Sequence, residues 1–183
     1  MPGTYWLKAV YGKFRDSVSI QVQDDPRLDI PAAERQAKTE ALRGFYNQVD
    51  QLRKGYERLT AAEKTIKLVE SQFVNVPDSL KKEVLQAGKT LQDSIGVLKD
   101  AFITQKEGKG IQRNPNTLNA VCYRAIEYIE SGRGAPNASA RIAIQAAQKA
   151  ADAVLARVEA LFQGPWKEYR KKAEAVQYSL FKE

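Results

Sequence analysis

The sequence predicts a mainly α fold: an antiparallel four-helix bundle with long first and last helices, preceded by an N-terminal β-hairpin. Three observations predict it. The apolar period changes from two to about three and a half near residue 31. Four apolar stripes then follow, separated by proline- or glycine-marked connections. Six of the seven prolines fall outside the expected helix interiors. Each stripe needs a partner, and short connections force neighbours to run in opposite directions, so a bundle is the economical solution. The expected division is a hairpin and linker over residues 1–30, read as the end of a truncated β-sandwich, and a helical bundle over 31–183.

Tyr5-Trp6-Leu7-Lys8-Ala9-Val10-Tyr11 and Ser17-Val18-Ser19-Ile20-Gln21-Val22-Gln23 are rich in β-branched and aromatic residues and flank a turn containing Gly12. The second run alternates strictly, with Val18, Ile20 and Val22 on one face. A hairpin alone is marginally stable in water, so it either packs on the rest of the chain or completes a sandwich that lies upstream.

The first helix is expected over about residues 32–73, roughly 60 Å long at the usual rise. Its stripe is Leu42, Phe45, Val49, Leu52, Tyr56, Leu59, Ala62, Ile66, Val69 and Phe73. Asp29 before Pro31 marks the start, and Asn75-Val76-Pro77 the stop. Gly44 and Gly55 lower its propensity without breaking it. The second helix runs from about Asp78 to Phe102 on Leu80, Val84, Ala87, Leu91, Ile95, Leu98 and Phe102, and a glycine-containing polar loop follows. Asn114-Pro115 reads as the start of a third helix that carries Leu118, Val121, Cys122, Ala125 and Ile129 inward. The last helix begins near Asn137 and uses Ile144, Ala147, Ala151, Val154, Val158, Leu161, Tyr169, Val176 and Leu180. Pro165 lies inside it and predicts a kink there, without ending the helix.

Composition removes several chemistries. The chain has 183 residues, 29 Lys plus Arg against 22 Asp plus Glu, no His and one Cys. Without histidine there is no Ser-His-Asp or Cys-His nucleophile system and no imidazole metal ligand. With Cys122 alone there is no intrachain disulfide and no cysteine cage. No catalytic residue, cofactor or metal is therefore expected. No window approaches the ~20 apolar residues of a membrane span. The first residues lack the basic-then-apolar pattern of an export signal and read as the middle of a β-structure, so a piece of a longer protein is expected.

The net charge of +7 raises a polyanion partner. By segment, however, residues 1–30 carry four positive and four negative charges, 31–75 eight and six, 76–113 seven and five, 114–136 two and two, and 137–183 eight and five. The surplus is spread along the chain. The densest cluster, Lys167, Arg170, Lys171 and Lys172, is the candidate polyanion contact; a solvated helix face is the plainer reading. Asp24-Asp25 fits a turn or a helix entry. Glu127 and Glu130 share the spacing of carboxylate-bridged metal bundles but lack the histidine those sites require. Trp6, Trp166, Tyr169 and Tyr178 could make a ligand platform, although Trp166 and Tyr169 suit packing at the bend better. Gly108-Lys109-Gly110 lacks the strand and spacing of a phosphate loop.

Pro2-Gly3-Thr4-Tyr5, the hairpin with Tyr11-Gly12-Lys13 at its turn, and Asp25-Pro26-Arg27 before a long helix resemble the C-terminal region of bacterial, Bacteroidetes-type sortilin-like (VPS10/BNR-repeat) β-propeller proteins labelled glycosyl hydrolases. The resemblance covers the order of elements over the whole chain, with motif-like matches in the first thirty residues. It implies a non-catalytic helical accessory module of a larger exported protein, whose hydrolytic site would lie in a propeller outside this chain. The implied partners are the parent's propeller and sandwich domains or another protein. The implied location is extracytoplasmic: periplasm, outer surface or secreted. The open strands of a cut sandwich further predict a homodimer through the hairpin. The competing reading is a basic bundle that binds nucleic acid or another polyanion.

Overall fold

The computed structural model describes residues 2–103 and 117–176. Strands β1 (Gly3–Tyr11) and β2 (Phe14–Val22) form an antiparallel hairpin, followed by α1 (Ala32–Gln72), α2 (Asp78–Phe102), α3 (Leu118–Ser131), α4 (Ala138–Gln163) and α5 (Pro165–Glu174). The four-helix bundle and its N-terminal hairpin stand as the sequence predicts, with the fourth arm divided into α4 and α5.

Gly12 holds φ +57 at the first position of a two-residue loop, where the residue after it has negative φ. This is the type II′ arrangement, which requires glycine there and matches the twist of the strands it joins. The pairing runs from Tyr11 with Phe14 out to Gly3 with Val22. Residues directly opposite share a face. One face therefore carries Tyr5, Leu7, Tyr11, Phe14, Val18, Ile20 and Val22, and the other carries Lys8, Arg15, Ser17, Ser19 and Gln21 beside Trp6.

A turn fastens the hairpin to the bundle. Arg27 closes on the Asp25 carboxylate at 2.7 Å, and Arg35 reaches Asp24 at 2.9 Å while also donating to the Ile30 carbonyl. The start of α1 is consequently marked by Pro31 at the cap, with Glu34 in the first turn; Asp29, expected as the start signal, does not cap it. Pro31 fits because the helix leaves its first N–H groups unpaired in any case. After Gln72 one 3₁₀ turn, Phe73–Asn75, leads to Pro77 and a reversal into α2.

The main core joins α1, α2, α4 and α5 through Leu52, Leu59, Ile66, Val84, Leu91, Ile95, Val158 and Leu161, among others. A second cluster sets Phe45 of α1 against Ala125 and Ile129 of α3 and Ala143 and Ala147 of α4. Buried alanines at 140, 143, 147 and 151 leave little side chain on that stripe of α4, so α3 lies against it as its main packing partner. Thr117 and Asn137 cap α3 and α4, their side chains accepting from the N–H groups of Ala120 at 3.2 Å and Ala140 at 2.9 Å.

The structure departs from several expectations. The last helix does not kink at Gly164-Pro165; it ends. Gly164 sits at φ −108, ψ −93, and a new helix starts with Pro165 at its first turn. The proline has no N–H for the Leu161 carbonyl, and its ring excludes the preceding turn, so the chain uses the glycine to re-aim α5 onto α2. The cap of α3 is Thr117, downstream of the expected Asn114-Pro115, which lies outside the described residues. Val49 and Leu80, expected inside, are exposed: Val49 lines an open cleft between α1, α2 and α3, and Leu80 lies in the first turn of α2. Leu180, the last residue of the expected final stripe, also lies outside the described residues.

Candidate interaction surfaces

The hairpin carries an exposed apolar surface. Every residue of both strands is exposed, so neither face lies on the bundle. Leu7 is 59% exposed, Phe14 67% and Trp6 68%, values that belong to surface loops and not to an apolar sheet face. Among the described residues no further strand pairs with β1 or β2. Chemically this surface can accept another strand and another apolar layer.

A second surface is a cleft of about 500 Å³ between α1, the end of α2 and α3. Phe45, Leu52, Tyr56, Phe102, Leu118 and Ile126 give it an apolar lining, with Arg53, Glu57 and Asn119 at the rim. Tyr56 and Phe102 meet edge to face at 5.6 Å, and Lys99 stands over the Tyr56 ring at 5.2 Å. Arg53 is held by Asp50 at 2.8 Å and Glu57 at 2.6 Å. Cys122 borders the cleft, half-buried, and burial pushes its thiol above its ordinary range. A thiol raised in this way is a poor nucleophile at neutral pH, which agrees with its reading as a small apolar residue.

The candidate polyanion residues lie exposed on α5, and three of the four have a partner of their own. Arg170 pairs with Glu174 at 2.7 Å, Lys172 lies 3.8 Å from Glu83 on α2, and Lys167 donates to Gln163. Lys171 stands in the last turn, where its charge opposes the negative helix end. Tyr169, between them in sequence, points the other way and is buried.

The aromatic platform is not assembled either. Trp166 packs edge to face on Phe162 at 5.7 Å and lies 5.9 Å from Tyr169, filling the angle between α4 and α5, while Trp6 is on the hairpin. Tyr178 lies outside the described residues. Glu127 and Glu130 are exposed on α3, and no group of three or more potential ligands gathers among the described residues. No described helix is long and apolar enough to cross a membrane.

Sequence reasoning missed two positions that decide the packing. Gly55 and Gly88 are buried, and each takes the flank of another helix: Leu155 and Phe102 at Gly55, Ile66 and Tyr169 at Gly88. The available signal was their spacing on the apolar stripes, three residues after Leu52 and four after Val84.

No known protein family, no curated protein and no solved structure matches this chain.

Proposed function

We propose that this chain is a non-catalytic helical accessory module of a larger exported β-propeller protein of the sortilin-like, glycosyl-hydrolase-labelled kind. The observation that carries the reading is the hairpin, an amphipathic two-stranded sheet whose apolar face is exposed on every residue. Such a sheet is completed by a neighbouring β-structure. The motif resemblance of Pro2-Gly3-Thr4-Tyr5, Gly12-Lys13 and Asp25-Pro26-Arg27 supports a sandwich as that neighbour. Both glycines have a conformational reason to be there, with φ of 153 at Gly3 and 57 at Gly12. In this reading the bundle spaces or docks the parent protein, the hairpin is the joint, and the site of action is outside the cytoplasm.

The test is the complete gene product. The proposal expects a β-propeller encoded upstream, glycoside hydrolysis confined to polypeptides that contain it, and no turnover by residues 1–183. Turnover by this chain that a single carboxylate substitution abolishes would overturn the reading.

A further inference from the structure

We propose that two copies of this chain join through the open edge of β1, giving a four-stranded antiparallel sheet with the two β1 strands at its centre. The inference rests on the hairpin being a docking element, but not on the exported parent.

The two strands differ in kind. In β1, Tyr5-Trp6-Leu7 and Ala9-Val10-Tyr11 are apolar on both faces and only Lys8 interrupts them, the pattern of a strand with neighbours on both sides. β2 alternates strictly and places Asp16 on the apolar face, next to Ala9. An inward charge of this sort closes a sheet edge against further pairing. The open edge of β1 is the one left to pair.

The hydrogen-bond phase identifies the groups on that edge. A two-residue loop makes Tyr11 and Phe14 a hydrogen-bonded pair, and the pattern alternates from there. Thr4, Trp6, Lys8 and Val10 therefore turn their N–H and C=O groups away from β2. When β1 pairs with its own copy over its full length, Gly3 stands opposite the partner's Tyr11 and Leu7 lies on the two-fold axis opposite the partner's Leu7. The outward residues then meet one another: Thr4 with the partner's Val10, and Trp6 with the partner's Lys8. Four such pairs each exchange two backbone bonds. The Trp6 to Lys8 pairing places an ammonium beside an indole twice, a favourable contact, and keeps the only cations of β1 apart. A slip of two residues would set Lys8 against the partner's Lys8, which like-charge repulsion penalises. The two apolar faces end on the same side of the sheet and double its width, and a four-stranded sheet passes the size at which an isolated hairpin is marginal.

Sedimentation of the full chain tests this. The expected result is a dimer that Lys8→Pro converts to monomer, because that substitution removes an outward N–H without touching the β1–β2 ladder. Ser19→Pro, outward on β2, should leave the dimer in place, and an unchanged helical circular dichroism signal verifies the fold of both variants. In a Cys122→Ala background, Leu7→Cys should oxidise in air to a disulfide-linked dimer, since a non-hydrogen-bonded pair brings Cα atoms to about 4.5 Å, and Ser19→Cys should not. A monomer at every soluble concentration overturns the proposal, as does a dimer lost with Ser19→Pro and kept with Lys8→Pro. Either outcome leaves the accessory-module reading standing, because that reading is decided by the complete gene product.

Discussion

Tyr169 on α5 stands directly against Gly88 on α2: a Cβ at position 88 would lie 3.3 Å from Tyr169 Cε2 and 3.3 Å from Ile66 Cγ2. The helix break at Gly164 has meaning through this contact, because it aims α5 back onto α2 and seats a buried tyrosine over a residue with no side chain. Gly88→Leu should therefore overpack the α2–α5 seam and cost about 1–3 kcal/mol. Tyr169→Ala should cost about 3 kcal/mol by leaving the space empty. Chemical denaturation with circular dichroism detection checks both. If Gly88→Leu is neutral, the close approach of α5 to α2 is wrong.

Arg58 joins α1 to α4 in two ways. It donates to Glu159 at 2.7 Å, and its guanidinium lies 3.8 Å from the centre of the Phe162 ring. Both partners of the ion pair are about half exposed, so the ion pair should couple by less than about 1 kcal/mol. The stacked ring should add about 0.5–1 kcal/mol. A double-mutant cycle with Arg58→Ala, Glu159→Gln and Phe162→Leu should find the Arg58–Phe162 coupling to persist in high salt while the Arg58–Glu159 coupling fades.

Glu63, Lys99 and Tyr169 contribute to the pH dependence of stability, beside the lowered carboxyls of Asp25, Asp50 and Glu159 and the raised thiol of Cys122. Glu63 accepts from Lys67 and Lys99, both at 2.9 Å, and these bonds hold its carboxyl below the ordinary 4.5. A carboxyl lowered on folding contributes stability above its unfolded value and loses it as pH falls through the folded one. Lys99 is raised above 10.5 by the same contact, and Tyr169 is raised above 10.0, first by burial and then by Glu70. Raised groups contribute fully below their unfolded values and lose that contribution as pH rises through the folded ones. Stability should thus be flat near neutrality, fall below about pH 4.5 and fall again above about pH 9, where the raised thiol of Cys122 is the first to lose its contribution. Glu63→Gln should flatten part of the acid limb and Tyr169→Phe part of the alkaline limb, both read from melting temperature against pH.

The bundle should not notice the hairpin. Deleting residues 2–23 should change bundle stability by less than about 0.5 kcal/mol, as for surface changes that touch nothing buried. Gly12→Val, which forces a β-branched residue into positive φ, should melt the hairpin and leave the bundle's melting temperature in place. A loss of several degrees in either variant would show that the strands lean on the helices.

Period and punctuation made most of this fold legible. The strict alternation of Val18, Ile20 and Val22 placed β2, and the stripe from Phe45 to Ile66 placed α1, because burial on one side imposes those periods. Pro31 and Pro77 marked helix starts, since proline suits a first turn. The break at Gly164 was harder to read: a proline inside a helical pattern permits a kink or an end, and the choice depends on what lies within reach of the following turn, here the flank of α2 with Gly88 open to Tyr169. The grooves at Gly55 and Gly88 were hidden for a related reason. Glycine in a helix reads as lost propensity until the neighbour that occupies its space is known. Of the candidate sites, the basic run on α5 was visible as composition. Its contacts Arg170 with Glu174 and Lys167 with Gln163 have the i, i+4 spacing that a sequence shows, whereas that of Lys172 with Glu83 depends on where α2 lies. The apolar cleft was invisible because Tyr56, Phe102 and Ile126 read as ordinary stripe residues, and only the spacing of three helices opens a gap between them.

The separation of a self-sufficient bundle from a hairpin that needs an outside partner is tested most directly by amide hydrogen exchange on dilute, monomeric chain. The amides of residues 5–10 and 15–20 should exchange within about an order of magnitude of unfolded rates, since an isolated hairpin is marginal. Those of Leu59, Ile66, Ile95 and Ile129, the largest fully buried side chains, should exchange only on global unfolding. Hairpin amides in the monomer as protected as those four would contradict it.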